Sequence, residues 1–390
     1  MKKTATKKKS TPVTSTISQI KAKNRIDLPM LIILLMIIAL GLVMVLSASS
    51  PTGASEGDTY KYFKTQTIAA IIGMVLMFVL SNINYDIFKR IYKLVYIGSI
   101  LILFAVLIPK IGVESNGARR WINLGMQIQP SEITKIGLII YVAGYYSDPK
   151  TKLTNIWNAC LKPFFAVLIP IGILLVVQNH LSAGIVIGMV TAAMVVMSGC
   201  QLKYLIYIMG VVLGGAALIF PFAKDKLMSS FRSDRIMAWL DPWADTSATS
   251  YQTVQSLYAI GSGGLFGVGL GESKQKYLYI PEAHNDFIFA IIAEELGFVG
   301  CAVVLGLFAM LVIRGISIAI RAKDTFGSLI AIGITALIAI QVILNIAVVT
   351  NSIPNTGISL PFISYGGSSM VILLAAMGIL FNISRSAKKI

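Results

Sequence analysis

KQKYLYIPEAHNDFIFAIIAEELG, residues 274–297, is the stretch from which the chain is best read. It holds His284, one of only two histidines, and a carboxylate two residues later, Asp286. Directly after Asp286 the sequence turns apolar and stays so. A charged, aromatic-rich loop therefore runs into the start of a membrane helix with an acid at its mouth. An ionisable group at such a boundary is costly to keep without a task. Asp is also a common helix cap. Position alone leaves both readings open, and they are compatible.

Composition sets the class. Of 390 residues, 56% are hydrophobic and only 13% charged, with a mean hydropathy of +0.79. Apolar runs of about twenty residues recur along the whole length, which reads as an all-α polytopic membrane protein with no separate soluble domain. The net charge of +16 does not point to nucleic acid, because the basic residues sit in short clusters between apolar runs, as topology signals do. Cys160, Cys200 and Cys301 are scattered. With two histidines and no CxxC pair they do not make a thiol or imidazole metal site. The first apolar run is long and is followed by no cleavage signal, so it reads as a retained helix.

In order, residues 1–27 form a basic cytoplasmic tail and 28–384 a transmembrane domain of about ten helices, with a short tail at 385–390. The spans fall at about 28–47 and 65–80, a third ending near 108 after an inner loop with Asp86, Lys89, Arg90 and Lys93, then 131–146, 163–177 and 183–198, a seventh ending near 222 after an inner turn at Lys203, then 286–313, 329–349 and a tenth ending near 383. An even count puts both basic termini in the cytoplasm. Gly297 and Gly300 are candidates to bend or tilt the long eighth span. A large outer loop occupies 223–285. Within it FRSDRIMAWLDPW, residues 231–243, reads as an interfacial amphipathic helix. The glycine-rich run at 259–273 lacks the nucleotide pattern and reads as tight turns over a cavity.

Two outer loops break the positive-inside rule. One holds Arg119 and Arg120 beside Trp121. The other holds Lys224, Lys226, Arg232, Arg235, Lys274 and Lys276. Cations gathered at the outer face suit a phosphate-bearing lipid or, more simply, ordinary head groups. Glu132 and Lys135 share a helix face three residues apart. They form a mutual ion pair or face a polar cavity. Glu294 and Glu295 are either helix glue or part of a proton path. Taken together, a lone carboxylate near cations suits a base that takes a proton from a hydroxyl while cations, with or without a divalent ion, stabilise a departing phosphate. That is glycosyl transfer from a lipid-pyrophosphate donor.

Several long, ungapped stretches carry a resemblance. They are GARRWINLG (117–125), QPSEITK (129–135), RSDRIMAWLDPW (232–243), YQTVQSLYAIGSGGLFGVGLG (251–271), PEAHNDFIFAIIAEELG (281–297) and LPFISYGGSS (360–369). In these the chain resembles the SEDS (shape, elongation, division, sporulation) family of bacterial cell-wall proteins, closest to its FtsW-like division members. The resemblance implies a peptidoglycan glycosyltransferase that polymerises lipid II on the outer face of the cytoplasmic membrane, at the septum in a division member. It implies inversion at the donor sugar and release of undecaprenyl pyrophosphate. It implies Asp286 as the base, and possession of Trp121, Glu132 and Lys135 as cavity residues. Arg119, Arg120, Lys274, Lys276, His284 and Tyr365 complete the candidates for substrate contact. A divalent cation (Mg or Mn), held with Asp286, is the expected cofactor, with no organic cofactor. The expected partners are the lipid-linked glycan, a class B penicillin-binding protein and division-complex proteins. Asn285 stands where many members carry Thr, and His180 where many carry an acid. The rival readings are a lipid II flippase, which predicts intramembrane charge along the whole path, and a non-catalytic scaffold, which predicts that Asp286 is replaceable.

Overall fold

The computed structural model describes residues 26–387 apart from 110, 116–117, 124–126, 152, 202, 205, 208–209, 211–213, 215–229, 245–247 and 278. The helices are α1 Leu28–Ser55, α2 Lys61–Asn82, α3 Asp86–Phe104, α4 Pro130–Ser147, α5 Lys162–Val176 and α6 Leu181–Met197. They continue as α7 Ser230–Leu240, α8 Ala248–Gly263, α9 Ile288–Arg321, α10 Thr325–Val349 and α11 Gly367–Ser386. Among the described residues seven helical segments are long and apolar enough to cross a membrane, and α6 is a shorter apolar helix. Most of the expected seventh span, the basic tail at 1–25, and Lys224 and Lys226 lie outside the described residues.

The bundle has two chemically distinct ends. At one end Asp27 caps α1 by accepting from Met30 N at 3.0 Å and pairs with Arg314 of α9 at 2.8 Å. Asp324 caps α10 by accepting from Gly327 N, and Arg385 reaches Asn82. Residues 26–27 and 385–386 are thus part of the fold, not of the tails to which sequence assigned them. The same end carries Lys89, Arg90 and Lys93 at the start of α3, Lys150 after α4 and Lys323 after α9, the pattern that the positive-inside rule expects of a cytoplasmic end.

α10 runs through the middle. From Leu329 to Val349 it carries no charge, and a helix apolar all round is a buried one; it packs on α4, α6, α9 and α11. α2 lies tightly on α11, where a Cβ at Gly378 would come within 2.5 Å of Met77 O, the close approach that small residues allow between membrane helices. On the outside, Ile68, Val75, Phe78, Ile87, Ile91, Leu94 and Leu101 are exposed, a face that suits lipid and not water.

The end opposite the basic loops is closed by loops and a small sheet. The polar stretch after α3 is not the open loop that sequence suggested. It forms β1 Gly112–Ser115, β2 Ala118–Asn123 and β3 Gln127–Ile128, antiparallel in that order. Ser115 pairs with Ala118, and the intervening Asn-Gly is the sequence pair that two-residue hairpins favour. The uncharged loop between α10 and α11, residues 351–366, is the hub of this end. Gln66 of α2 grips it by donating to Ser364 O at 3.1 Å and accepting from Gly366 N at 3.0 Å. Ser182 of α6 donates to Thr356 O, Arg235 of α7 to Asn355 O, and Tyr365 N to His284 O.

α9 is broken as the glycines suggested, at Gly297, whose φ is 66° and ψ −166°. The turns after α8 fill the break. Val268 N donates to Glu294 O and Gly269 N to Glu295 O, while Phe298 N and Val299 N donate to Gly264 O and Leu265 O. Backbone groups that the helix leaves unpaired are thereby satisfied, as they must be at membrane depth. The glycine run expected to turn over a cavity therefore serves as packing for the α9 break, and its first residues, to Gly263, are helical.

Candidate active site

Asp286 lies in the turn before α9 and does not cap it. The helix begins at Ile288 with Phe287 as the capping position and no side-chain cap bond. The cap reading of Asp286 is therefore set aside. Instead its main chain is held and its carboxyl is left over. Asn345 of α10 donates to Asp286 O at 2.7 Å. The carboxyl faces Gly357 of the hub loop, where a Cβ would lie 3.1 Å from Oδ2; Gly357 has a φ of 64°, so backbone conformation and space both favour glycine there.

The charges around Asp286 come from three other places. Burial pushes its pKa up to about 6 and nearby Glu282 adds to this, while Arg235 and Arg120 pull it down. The residue still keeps part of its surface accessible. Its carboxyl is thus largely enclosed by protein yet partly accessible. Arg120 projects from β2 and donates to the carbonyls of Gln178 (3.1 Å) and Asn179 (2.7 Å) in the α5–α6 turn. Arg235 of α7 is anchored on Asn355 O at 3.0 Å. Burial lowers the pKa of both guanidiniums, and the Asp286 charge opposes that shift in each; both stay charged at any ordinary pH.

His180 follows the same turn and feels Arg120 and Lys135, after burial, as forces against its protonation, which bring its pKa to about 3. It is a neutral imidazole. The segments that meet here carry buried polar atoms with no partner: Gln178 Oε1, His180 Nδ1, Asn285 Oδ1, Asn345 Oδ1 and Thr356 Oγ1. Orphaned groups of this kind mark a site where water or a polar ligand belongs.

The sequence-derived candidates separate into groups. Asp286 and Arg120 come together. Arg235, which sequence noted only as one outer-loop cation among several, joins them; its signal was the RSDR run within an amphipathic helix. Glu132 and Lys135 form the buried ion pair that spacing allowed, at 2.7 Å, with Glu132 Oε2 left unpartnered. Trp121 is half-buried on β2, opposite Val113. Arg119 is exposed and pairs with Glu114 at 3.3 Å, apart from Arg120. Lys274 is exposed and contributes a backbone N–H to Glu294. Tyr365 stacks edge-on against Tyr62 and His284.

Two candidates need correction as substrate contacts. Lys276 is not available: its side chain is 3% exposed and bonds Glu295 at 3.0 Å, in a cluster with Ser47 and the carbonyl of Gly271. An ammonium drawn into the protein interior must be paired there, and removing one partner of such a pair costs about 3–5 kcal/mol. His284 is buried between Tyr62 and Tyr365, and burial lowers its pKa to about 4. It packs as a neutral ring. Glu294 and Glu295 are the glue of the earlier alternatives. Glu294 accepts from Ser273 Oγ and from the amides of Lys274 and Gln275. Glu295 accepts from Ser47 Oγ at 2.6 Å and from Lys276.

Among the described residues no three of His, Cys, Asp and Glu converge as metal ligands. Asp286 is thus a fit for Mg²⁺ or Mn²⁺ only in the mode where substrate phosphates supply most of the ligands.

Comparison with known proteins agrees with this architecture. Residues 28–389 match the family described as cell cycle protein, FtsW/RodA/SpoVE. Stage V sporulation protein E of Bacillus subtilis is 39% identical over 94% of this chain and 99% of its own length. The probable peptidoglycan glycosyltransferase FtsW of Trichlorobacter lovleyi is 43% identical over 92% of this chain and 93% of its own. Among solved structures, RodA of Thermus thermophilus superposes with a TM-score of 0.67 at 26% identity, covering 93% of this chain and 98% of that one. A chain from a structure described as "Structural coordination of polymerization and crosslinking by a peptidoglycan synthase complex" gives 0.75 at 27% identity, covering 92% and 98%. On a match that runs from the first helix to the last, and on relatives of nearly the same length, the chain belongs to the FtsW/RodA/SpoVE family of multi-pass membrane proteins.

Proposed function

We propose that this protein is a peptidoglycan glycosyltransferase that polymerises lipid II on the outer face of the cytoplasmic membrane. The observation that carries the reading is the enclosed yet partly accessible Asp286 carboxyl, with two anchored guanidiniums, Arg120 and Arg235, near enough to act on its charge. Asp286, ionised above about pH 6, takes the proton of the acceptor sugar's 4-hydroxyl. That oxygen attacks the anomeric carbon of the donor. The bond from this carbon to the pyrophosphate oxygen breaks, its electron pair leaves with undecaprenyl pyrophosphate, and the configuration inverts. Arg120 and Arg235 stand where they can meet the charge that grows on the departing phosphate. Both are already fixed by carbonyl contacts, so neither has to reorganise during the step. A divalent ion, when bound, supplies further charge stabilisation to the pyrophosphate, with Asp286 as the protein's carboxylate toward it.

The transpeptidase partner of class B, division-complex proteins and a septal location are part of the same proposal. They are supported by relatives named FtsW and by the synthase complex whose chain this one resembles. Among the described residues, Glu132–Lys135 and Lys276–Glu295 inside the bundle are ion-paired, and Glu294 is held by Ser273 and backbone amides. A flippase path would need them free.

The test is glycan polymerisation from purified lipid II, with the transpeptidase co-purified and its crosslinking blocked. Wild type should form polymer, and Asp286→Asn should reduce it on the order of a hundredfold or more, the usual scale of a lost general base. Equal polymer from both would refute the mechanism. Lipid II movement in liposomes without polymer would favour the flippase.

A further inference from the structure

Asn345 lies on α10 and is fully buried. Its Nδ2 donates to the carbonyl of Asp286 at 2.7 Å and to the carbonyl of Ile358, also at 2.7 Å. An amide nitrogen carries two hydrogens, and both are committed. One atom of a rigid central helix therefore ties together two loops that have no regular structure. The two carbonyls are not arbitrary. One belongs to the residue whose carboxyl feels Arg120 and Arg235. The other belongs to the residue after Gly357, against which Oδ2 of that carboxyl rests.

The remaining charged neighbours of Asp286 are fixed elsewhere: Arg120 on the α5–α6 turn, Arg235 on Asn355 O, and Glu282 in the same loop as Asp286. Without Asn345 the described structure gives the Asp286 main chain no side-chain anchor. A hydrophobic residue of equal size would fill the space and leave two buried carbonyls unpaired. The Oδ1 of Asn345 meets no donor, so it is the donor pair, not the acceptor, that the position uses.

We propose that Asn345 is a positioning residue of the active site: by holding the Asp286 and Ile358 carbonyls to one point on α10, it sets the Asp286 carboxyl against Gly357 and toward Arg120 and Arg235. The proposal rests on the reaction proposed above for Asp286. Geometry at a reacting centre is unforgiving, since a misplacement of about 1 Å costs on the order of a hundredfold.

Two readouts on the purified complex test it. The first is polymerisation against pH and lipid II concentration. The second is coupling of dicyclohexylcarbodiimide, which reacts with protonated carboxyls, to Asp286, followed against pH by peptide mass spectrometry. For Asn345→Leu, kcat should fall on the order of 10- to 100-fold with KM little changed, and the labelling midpoint should leave its wild-type value by about half a pH unit or more. Asn345→Ser, which keeps one donor and the smaller volume, should fall between, and it carries the test if the leucine variant does not fold. Asn351→Gly is the control. It removes the Nδ2 bond to Trp239 O at the far end of the same loop and keeps a residue that accepts the positive φ of 53° there. It should lower thermal stability and leave the labelling midpoint in place. A folded Asn345 variant with wild-type kcat and midpoint overturns the proposal. So does an equal midpoint shift in Asn351→Gly, which would make the effect one of general loosening. The labelling arm reads the carboxyl and not turnover. A shifted midpoint in a protein that makes no polymer would therefore sink the reaction and leave the positioning standing.

Discussion

At the scale of single residues, the chemistry of the site turns on how one carboxyl is surrounded. Burial and Glu282 raise the Asp286 pKa and the two arginines restrain the rise, leaving it at about 6. The base is ionised only above that value. The acid limb of kcat/KM should accordingly have its midpoint near pH 6 and rise with pH, and Arg235→Gln, which removes a restraining cation, should move the limb upward. The stability sign follows from the same shift. A carboxyl whose pKa is raised on folding contributes stability that is fully present below its unfolded pKa and lost as pH rises through the folded one. Asp286→Asn should therefore melt at or above the wild-type temperature at pH 8, with the difference closing toward pH 4. A mutant that is markedly less stable at pH 8 would mean that the carboxylate has a supporting partner after all. Sequence found Asp286 and Arg120 because each violates a rule about where charge belongs. It could not separate Lys276 from them. A lysine in an outer loop looks the same whether it faces a ligand or turns back to Glu295, and only the returning path of the loop past α9 decides between the two.

Among the elements, the interruption of α9 is the feature on which most others depend. Gly297 has a φ open to glycine, and a Cβ there would collide with Gly267 N and Leu265 O. Gly297→Ala should cost at least about 1–3 kcal/mol from backbone strain alone, with further loss because the collision is with main-chain atoms. Thermal denaturation in detergent measures it. An unchanged melting temperature would show that the break adapts to a side chain. The spans themselves were legible in the sequence, since a run of twenty apolar residues has few alternatives in a chain this hydrophobic. Their ends were less so. α1 continues past Ser47 to Ser55, through Ser49 and Pro51, which read as loop. It can do so because Ser49 is buried and Ser47 bonds Glu295, contacts made far away in sequence. The three-stranded sheet was missed for a similar reason: strands of two to six residues leave little pattern, and the Asn-Gly pair was the sole local cue.

For the molecule as a whole, the arrangement predicts an orientation. The end carrying Asp286, the sheet and the hub loop should face outward, and the end carrying Arg314, Asp324 and Arg385 should face the cytoplasm. In a background lacking Cys160, Cys200 and Cys301, a cysteine at Glu56, beyond the end of α1, should react with a membrane-impermeant maleimide in intact cells. One at Lys323, between α9 and α10, should react only after lysis. The reverse pattern would invert the topology and remove the site from its proposed substrate. This level was partly readable from charge placement. What charge placement could not give is that one uncharged loop joins α2, α6, α7 and the turn before α9. A loop without charges offers no signal of its own, and its importance lies entirely in what it touches.

The interruption of α9 also bears on how the chain can be assembled. Gly297 lies nine residues into the helix, ~13 Å along its axis, nearly half the thickness of a hydrocarbon core. The insertion machinery meets residues 288–321 as one continuous, mostly apolar segment interrupted only by Glu294, Glu295 and Arg314 before its last residue. Yet the finished helix depends on amides of Val268 and Gly269, from a segment that emerges earlier and must fold back against it. Entry of α9 into the bilayer and completion of its hydrogen bonding are thus separate events, and the second waits for the outer segment to have crossed. Final placement of Asp286, two residues before this helix, is tied to that later event and not to insertion itself.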